Sequence, residues 1–454
     1  MHRIHGGFTT AIPIKENEIQ NSNPEQVLSQ SLSSLLTFLN DKRNAGVTNF
    51  DQSATTLFVS GVVLPKQRYK NAMLPPTFVL ATTYCGPLKE HLYELIDTNR
   101  NILCKTLMFC EGFKGGYNAS AKYIYRFLRK HSHNANFNSR CNYISKQDTK
   151  NEKELRKEIE GYIDKAQRLG AFKNCSATEV KTLIQRHIKN CGEQYAWAFN
   201  PFKKNIRERL ETARVKVTNI ILYLLIAVII APLLVVPAVI WWFKWEPVPL
   251  VFTLVPLVSI IALVFNFQSI HTNTATRPHD SRLQELAATQ LNPVLNEMTA
   301  AAPLKNGFLR GHLYAFTLRL LGLVGPLRLK IPTVSNIRWV VIDKKRRLLF
   351  LSCFSNTADS YVRDFLVKDT SGGVNFLFSH GKGFPDALFT YWRGIRRDPE
   401  GYMNAVHTGQ QITEFWYAHE KNLTADIINK NRKIRNGLFK KMNEEEAREW
   451  LKLL

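Results

Sequence analysis

A chain of 454 residues exceeds one ordinary domain and calls for two or three. With 45% hydrophobic and 11% aromatic residues it can bury a sizeable core, which excludes a disordered or fibrous class. The net charge of +24 points to an anionic partner, nucleic acid or the anionic face of a membrane. No zinc-finger spacing and no RNP-like strand interrupts the basic background, so anionic membrane lipid is the expected partner and nucleic acid is not expected. The 7 cysteines are odd in number and form no CxxC pair, which argues against a disulfide framework and a structural zinc site and favours a reducing compartment. No metal is expected, and the opening HRIHGGFTTAIPIKENE holds no apolar core for a signal peptide.

In chain order, residues 1–50 read as a polar, mobile tail (1–24) followed by an amphipathic helix. Leu28, Leu32, Leu35, Leu36 and Leu39 form the helical stripe, which packs on the body of the protein or on a partner. Residues 51–200 begin with a strand at Thr55–Leu64. A second strand, a small turn and a helix then run through Phe78–Ile96 (FVLATTYCGPLKEHLYELI). A further strand, Lys105–Phe113, ends in a glycine turn, and a helix, the strand FNSRCNYIS and charged helices follow.

Residues 201–270 read as a transmembrane hairpin. Positions 217–242 and 248–267 are uncharged runs of spanning length, with Trp241, Trp242 and Trp245 at the turn between them. Lys203, Lys204, Arg207, Arg209, Arg214 and Lys216 precede the first run, so both large flanking regions face the cytoplasm whether the hairpin spans the bilayer or dips into one leaflet. The expected localisation is therefore a multi-pass membrane protein. Residues 271–332 read as a linker plus a helix at Gly307–Gly325, whose stripe includes Leu313, Phe316 and Leu320 and is rimmed by Arg310 and Arg319. That pattern suits an interfacial helix on anionic headgroups and suits a core-packing helix equally well.

Residues 333–454 repeat the pattern of 51–200. A strand at Asn336–Lys344 precedes LLFLSCFSNTADSYVRDFL (Leu348–Leu366). NFLFSHGKGF (Asn375–Phe384), a helix, the strand ITEFWYAHE and a charged helix complete it. The expected fold class is α+β: two ferredoxin-like repeats, antiparallel sheets with helices on one face, plus the two-helix transmembrane hairpin inserted between them. Superposed, the repeats should bring Tyr84 onto Phe354 and Phe113 onto Phe384.

The run IPTVSNIRWVVIDKKRRLLFLSCFSNTADSYVRDFL, 331–366, resembles a group of largely uncharacterised bacterial membrane-associated proteins built from two such repeats. Their pattern is similar to IPT-x-x-x-ARWV-x-ID followed by RLLF-x-SN and SYL-x-DF, and FVLATTYCGPLKEHLYEL with FCEGF resembles their N-terminal copy. The chain departs from that pattern at the repeated turn, where Cys85-Gly86 and Ser355-Asn356 stand in place of Asp-Gly. The resemblance implies the paired, dimeric α/β-barrel type of fold and carries no activity.

Chemistry is sparse in the sequence. There is no GxSxG elbow, HExxH pair or Walker loop. Arg338 stands in the apolar strand IRWVVI, and a guanidinium there must meet an aspartate (Asp343, Asp359 or Asp364) or an anionic ligand. His380 follows an apolar run beside Lys382. By fold-level analogy to haem peroxidases of the α/β-barrel type, haem is a possible cofactor with His380 as its axial ligand. The turns Gly381–Phe384 and Phe113–Gly116 place glycines beside lysines and could cradle a phosphate, and Cys85 and Cys353 read as structural. The expected function is a membrane-anchored, cytoplasm-facing protein that binds a lipid-like or other apolar or anionic ligand. Its ligand-binding candidates are Arg338, His380 and Lys382, and no catalytic residue is assigned. The alternative is a membrane-bound, haem-peroxidase-like oxidoreductase.

Overall fold

The computed structural model describes residues 3–15, 24–40, 49–201, 274–290, 292–307, 310–324, 333–368, 377–385 and 398–454, with a few isolated positions between 206 and 220. The elements of the N-terminal half are β1 (His5–Pro13), α1 (Pro24–Asn40), β2 (Thr56–Leu64), β3 (Gln67–Tyr69), β4 (Ala72–Leu74), β5 (Thr77–Cys85), α2 (Leu88–Leu107), α3 (Ala121–Lys130), β6 (Ala135–Ser139), α4 (Lys146–Arg168) and α5 (Ala177–Asn190). Those of the C-terminal half are α6 (Asp280–Ala288), β7 (Asn296–Pro303), α7 (Arg310–Val324), β8 (Val334–Ile342), β9 (Arg347–Phe354), α8 (Ala358–Lys368), α9 (Pro399–Gly409), β10 (Gln410–Gln411), β11 (Phe415–Ala418), α10 (Ala425–Phe439) and α11 (Glu444–Leu451).

Two antiparallel sheets carry the fold, ordered β1-β5-β2-β11 and β10-β7-β9-β8-β6. Each half supplies a β-α-β-β-α unit whose three strands pair in the order first, third, second. The fourth place is exchanged. β6 leaves the N-terminal half to pair with β8, and β11 leaves the C-terminal half to pair with β2. The expectation of two self-contained four-stranded sheets is corrected here, because each sheet is completed by the other half.

Small aliphatic side chains fill the space between the sheets: Ala11, Val62, Val79 and Ala81 from one, Ala301, Val340, Leu349 and Leu351 from the other. Strand alternation sends the bulkier set outward, where Phe8, Ile12, Phe78 and Leu80 meet α1, α2 and α3. On the opposite side Trp339, Phe350 and Phe354 meet α7, α8 and α9. The result is helix, sheet, sheet, helix. At one seam Ala11 N donates to His131 O and His133 N to Thr9 O, joining β1 to the chain entering β6. At the other, three residues carry the chain from β10 at the edge of one sheet to β11 at the edge of the other.

Matching details recur at equivalent places in the halves. Tyr84 stacks on His91 as Phe354 stacks on Tyr361. The His91 ring meets Thr82 Oγ1 at 2.9 Å, as the Tyr361 hydroxyl meets Ser352 Oγ at 2.6 Å. β2 and β8 both carry a bulge one residue into the strand. Lys15 N donates to Phe109 O, and Lys305 N to His380 O.

Several sequence expectations are overturned. The tail expected to be mobile contains β1, which pairs with β5 over nine residues, and the expected linker contains β7. Lys105–Phe113 is not a strand but the last turn of α2 and the loop after it, and Leu377–Ser379 is helical. The helix at Gly307–Gly325, which suits an interfacial or a core-packing role equally, is α7. It buries Tyr314 and Leu318 against the second sheet and leaves Phe316 exposed.

The membrane expectation is corrected as well. Among the described residues no helix is long and apolar enough to cross a membrane. The two longest, α2 and α4, are studded with charge (LKEHLYELIDTNRNILCKTL, KQDTKNEKELRKEIEGYIDKAQR), because each offers only one stripe to a protein core. The hairpin expected over 217–267 lies outside the described residues apart from Val217 and Ile220, so neither the inserted-hairpin fold class nor a multi-pass localisation stands.

Candidate functional site: a basic groove

Three tight turns meet at one end of the second sheet. The β3–β4 hairpin reverses at Lys70, which has a φ of 53°. The β8–β9 hairpin reverses through Asp343, Lys344 and Lys345, with φ values of 51°, 53° and 67°. Three successive non-glycine residues in the left-handed region are costly, and such strain is maintained where surrounding contacts over-determine it. Here Asp343 Oδ2 lies 2.9 Å from Arg347 Nε, and Arg346 N donates to the Ile342 and Asp343 carbonyls. Arg347 itself is fully buried and donates to Pro75 O at 3.2 Å, tying this turn to the strand pair below it.

The third turn follows β7. Leu304 N donates to Arg346 O, Lys305 N to His380 O, and Lys382 N to Pro303 O. α7 then starts beside the Lys345 carbonyl. A Cβ on Gly311 would sit 2.3 Å from Lys345 O, so only glycine allows the helix to begin this close.

Two adjoining cavities, of about 540 and 310 Å³, lie among these turns and share Tyr69 and Lys70. Arg68 and Lys70 come from the β3–β4 hairpin, Lys344, Lys345 and Arg346 from the β8–β9 turn, and Lys305 and Lys382 from the loops beside β7. No carboxylate is among the lining residues. Lys345 Nζ lies 2.9 Å from His312 Nδ1. Lysines and arginines gathered around one groove repel one another, and a bound anion relieves the repulsion while the first turn of α7 adds its own positive end.

Of the three residues singled out in the sequence, Lys382 lines this groove. His380 lies beneath it, buried, with its ring against Tyr314 and Nδ1 accepting from Arg310 Nη1 at 3.1 Å. Burial and the neighbouring cations Arg310 and Lys305 hold its pKa well below the ordinary histidine value. A haem does not fit at His380: the ring is 1% exposed, one nitrogen is engaged by Arg310, and packed side chains surround it.

Arg338 is not in the groove. It projects from β8 between the sheets, where Nη1 donates to Phe8 O at 3.0 Å and Thr82 O at 2.9 Å, and Nη2 donates to Thr83 Oγ1. None of the expected aspartates pairs with it: Asp343 holds Arg347, Asp359 meets His407, and Asp364 accepts from Thr333. Arg338 instead pins one sheet to the other. Its Nε, Asn336 Nδ2 and Trp416 Nε1 border a void of about 10 Å³, room for about one water. Cys353 and Cys85 are buried and pushed up to about 12, so both stay protonated thiols at neutral pH.

Glu297 shares that interior. Desolvation raises its carboxyl to about 7, against hydrogen bonds from Thr413 and Thr299 and the charge of Arg338. A carboxyl whose folded pKa exceeds its unfolded value contributes stability below the unfolded pKa and loses it as pH rises through the folded one. Wild-type stability should therefore fall between about pH 5 and about pH 8 through this group. In Glu297→Gln the fall should be smaller, so melting temperatures of the two proteins at both pH values should diverge in the variant's favour at the higher pH. Parallel profiles would remove Glu297 as the source.

The groove cations were visible as the run DKKRR, but a charged run at a hairpin is more often a solvated turn. Only the packing of Arg68, Lys70 and Lys305 against it makes a site. The fold is α+β, with two antiparallel sheets packed face to face. No family model, curated protein or solved structure matches this chain.

Proposed function

We propose that this protein binds a multiply phosphorylated ligand in the basic groove. The observation that carries the reading is the set of six cations (Arg68, Lys70, Lys344, Lys345, Arg346 and Lys382) around adjoining cavities with no carboxylate in their lining, above the buried Lys305. The pre-formed, strained Lys344–Lys345 turn supports it, since a donor set held in place before binding loses less entropy on binding. The resemblance to the two-repeat bacterial group is part of the same proposal, because the Lys344–Arg346 turn falls inside the matching stretch. The phosphates can come from a soluble molecule or from an anionic lipid headgroup.

The test is the double variant Lys344→Glu, Lys345→Glu in the full chain. Losing two charge-assisted hydrogen bonds removes about 3 kcal/mol, so affinity for ATP or pyrophosphate should fall about 100-fold by calorimetry. Flotation with phosphatidylcholine vesicles, with and without phosphatidylserine, separates the two sources. Co-flotation that depends on phosphatidylserine and is lost in the variant identifies a headgroup. Soluble phosphate binding without flotation identifies a free ligand. No binding to either probe, or equal binding by the variant, would dismiss the groove.

A further inference from the structure

We infer that Glu158, His187 and Cys191, none of which lines the cavities described above, form a zinc site. The site is built by two antiparallel helices. α4 starts at a capping box, Ser145 with Asp148, and α5 at another, Ser176 with Glu179, so both helices hold their register from a defined first turn. Ile184 and Ile188 of α5 pack against Leu155 and Ile159 of α4. That contact turns the neighbouring stripe, His187 and Cys191 at helical i, i+4 spacing, toward Glu158.

One carboxylate oxygen, one imidazole nitrogen and one sulfur converge within 4.8 Å of each other, the one such trio among the described residues. His187 Nε2 lies 2.9 Å from Glu158 Oε1, Cys191 Sγ is 3.8 Å from His187 Nε2, and Sγ is 3.9 Å from Glu158 Oε1. Zinc bonds of 2.0–2.3 Å at tetrahedral angles give edges of about 3.3–3.6 Å, so a shift of a few tenths of an ångström would close the triangle on an ion. Tyr162 stacks flat on the imidazole, with centroids 4.1 Å apart and planes at 10°, which fixes the ring's orientation. The His187 and Glu158 side chains are 28% and 39% exposed, so an ion can reach them from solvent.

A mixed N, O, S donor set suits zinc rather than magnesium or calcium. Three protein ligands leave the fourth position to water. Binding displaces the thiol proton of Cys191 into solvent, and the proton between His187 Nε2 and Glu158 moves to His187 Nδ1, or to solvent if Nδ1 already carries one, as both atoms bond the metal, so affinity should rise with pH.

The test uses the full chain, stripped with chelator and titrated with cobalt as a spectroscopic stand-in, then with zinc against a chromophoric chelator. The wild type should bind one equivalent and show a thiolate-to-cobalt charge-transfer band together with tetrahedral d–d bands. Cys191→Ser should lose the charge-transfer band, and Cys175→Ser should keep it. Glu158→Gln, which leaves both other ligands and the helix surface in place, should weaken zinc at least tenfold and abolish the zinc-induced rise in melting temperature. An octahedral cobalt spectrum in the wild type, a band that survives Cys191→Ser, or wild-type affinity in Glu158→Gln would each overturn the site and leave a His187–Glu158 ion pair.

Discussion

Arg338→Met should lower the unfolding free energy by about 3 kcal/mol or more, because it leaves acceptors in the other sheet without their donor. The side chain crosses from β8 to the carbonyls of Phe8 and Thr82 and to Thr83 Oγ1, and the guanidinium lies over the Phe137 ring at 5.2 Å. Burial lowers its pKa to about 10, still far above neutral, so a full charge is held between two sheets. Methionine fills the aliphatic part of the space but cannot donate. Lysine can donate but lacks the planar fork that reaches two elements at once, so Arg338→Lys should fall between wild type and Arg338→Met. Urea titrations followed by near-ultraviolet circular dichroism give the order. Phosphate binding by the folded variants should be unchanged, because Arg338 does not line the groove. Wild-type stability in Arg338→Met would mean that the sheets are held by the aliphatic layer alone.

The exchange of β6 and β11 leads to a second large effect. Residues 1–201 expressed alone lack the strand that covers β2, and residues 274–454 lack the strand that covers β8. Each fragment also exposes one whole face of the Val, Leu, Ile and Ala layer between the sheets, worth about 1.5–3 kcal/mol for each large aliphatic side chain. Against a net stability of about 5–15 kcal/mol for a whole domain, neither fragment should unfold cooperatively. Mixing the two should restore a single transition and the stoichiometric complex. A sharp, independent melting transition in either fragment would show that the exchanged strand is dispensable.

This interdependence marks the limit of what the sequence could reveal. Strands such as Thr55–Leu64 and Asn336–Lys344 were legible because β-branched and aromatic residues alternate there, and their β2 and β8 counterparts begin within two residues of those bounds. The first strand of each half was not. β1 reads HGGFTTAIP, where Gly6 and Gly7 look like loop, but a Cβ on either would strike the Tyr84 or Phe137 ring. β7 reads NEMTAAAP, too small and polar to register as a strand, and its alanines are small because the layer between the sheets is thin. Missing both first strands puts the repeat out of phase, so Leu107–Phe109 at the end of α2 and the helical Leu377–Ser379 read as strands that the fold does not need. Strand exchange left no local trace, since pairing partners are not written in a segment's own pattern. The same blindness touched the site. Arg338 stood out in its apolar run, but its partners are neutral: the carbonyls of Phe8, in the stretch read as tail, and of Thr82, with the hydroxyl of Thr83, so a search for carboxylates could not have nominated them.

The seam along β1 bears on how this chain behaves when concentrated. An open sheet offers a row of free amide and carbonyl groups that can template another chain, and proteins with such edges need lysines, prolines or bulges to blunt them. Here β1, the outer strand of the first sheet, is already occupied on both sides. β1 is hydrogen-bonded on one side to β5 and on the other to the chain entering β6, with His5 Nε2 donating to Ile144 O at 2.7 Å to hold its start. β11 is joined to β10 through a connection whose Glu414 carboxylate accepts from Val63 N. Along this edge, intermolecular strand addition, and the fibrils it seeds, should begin only after β1 peels away.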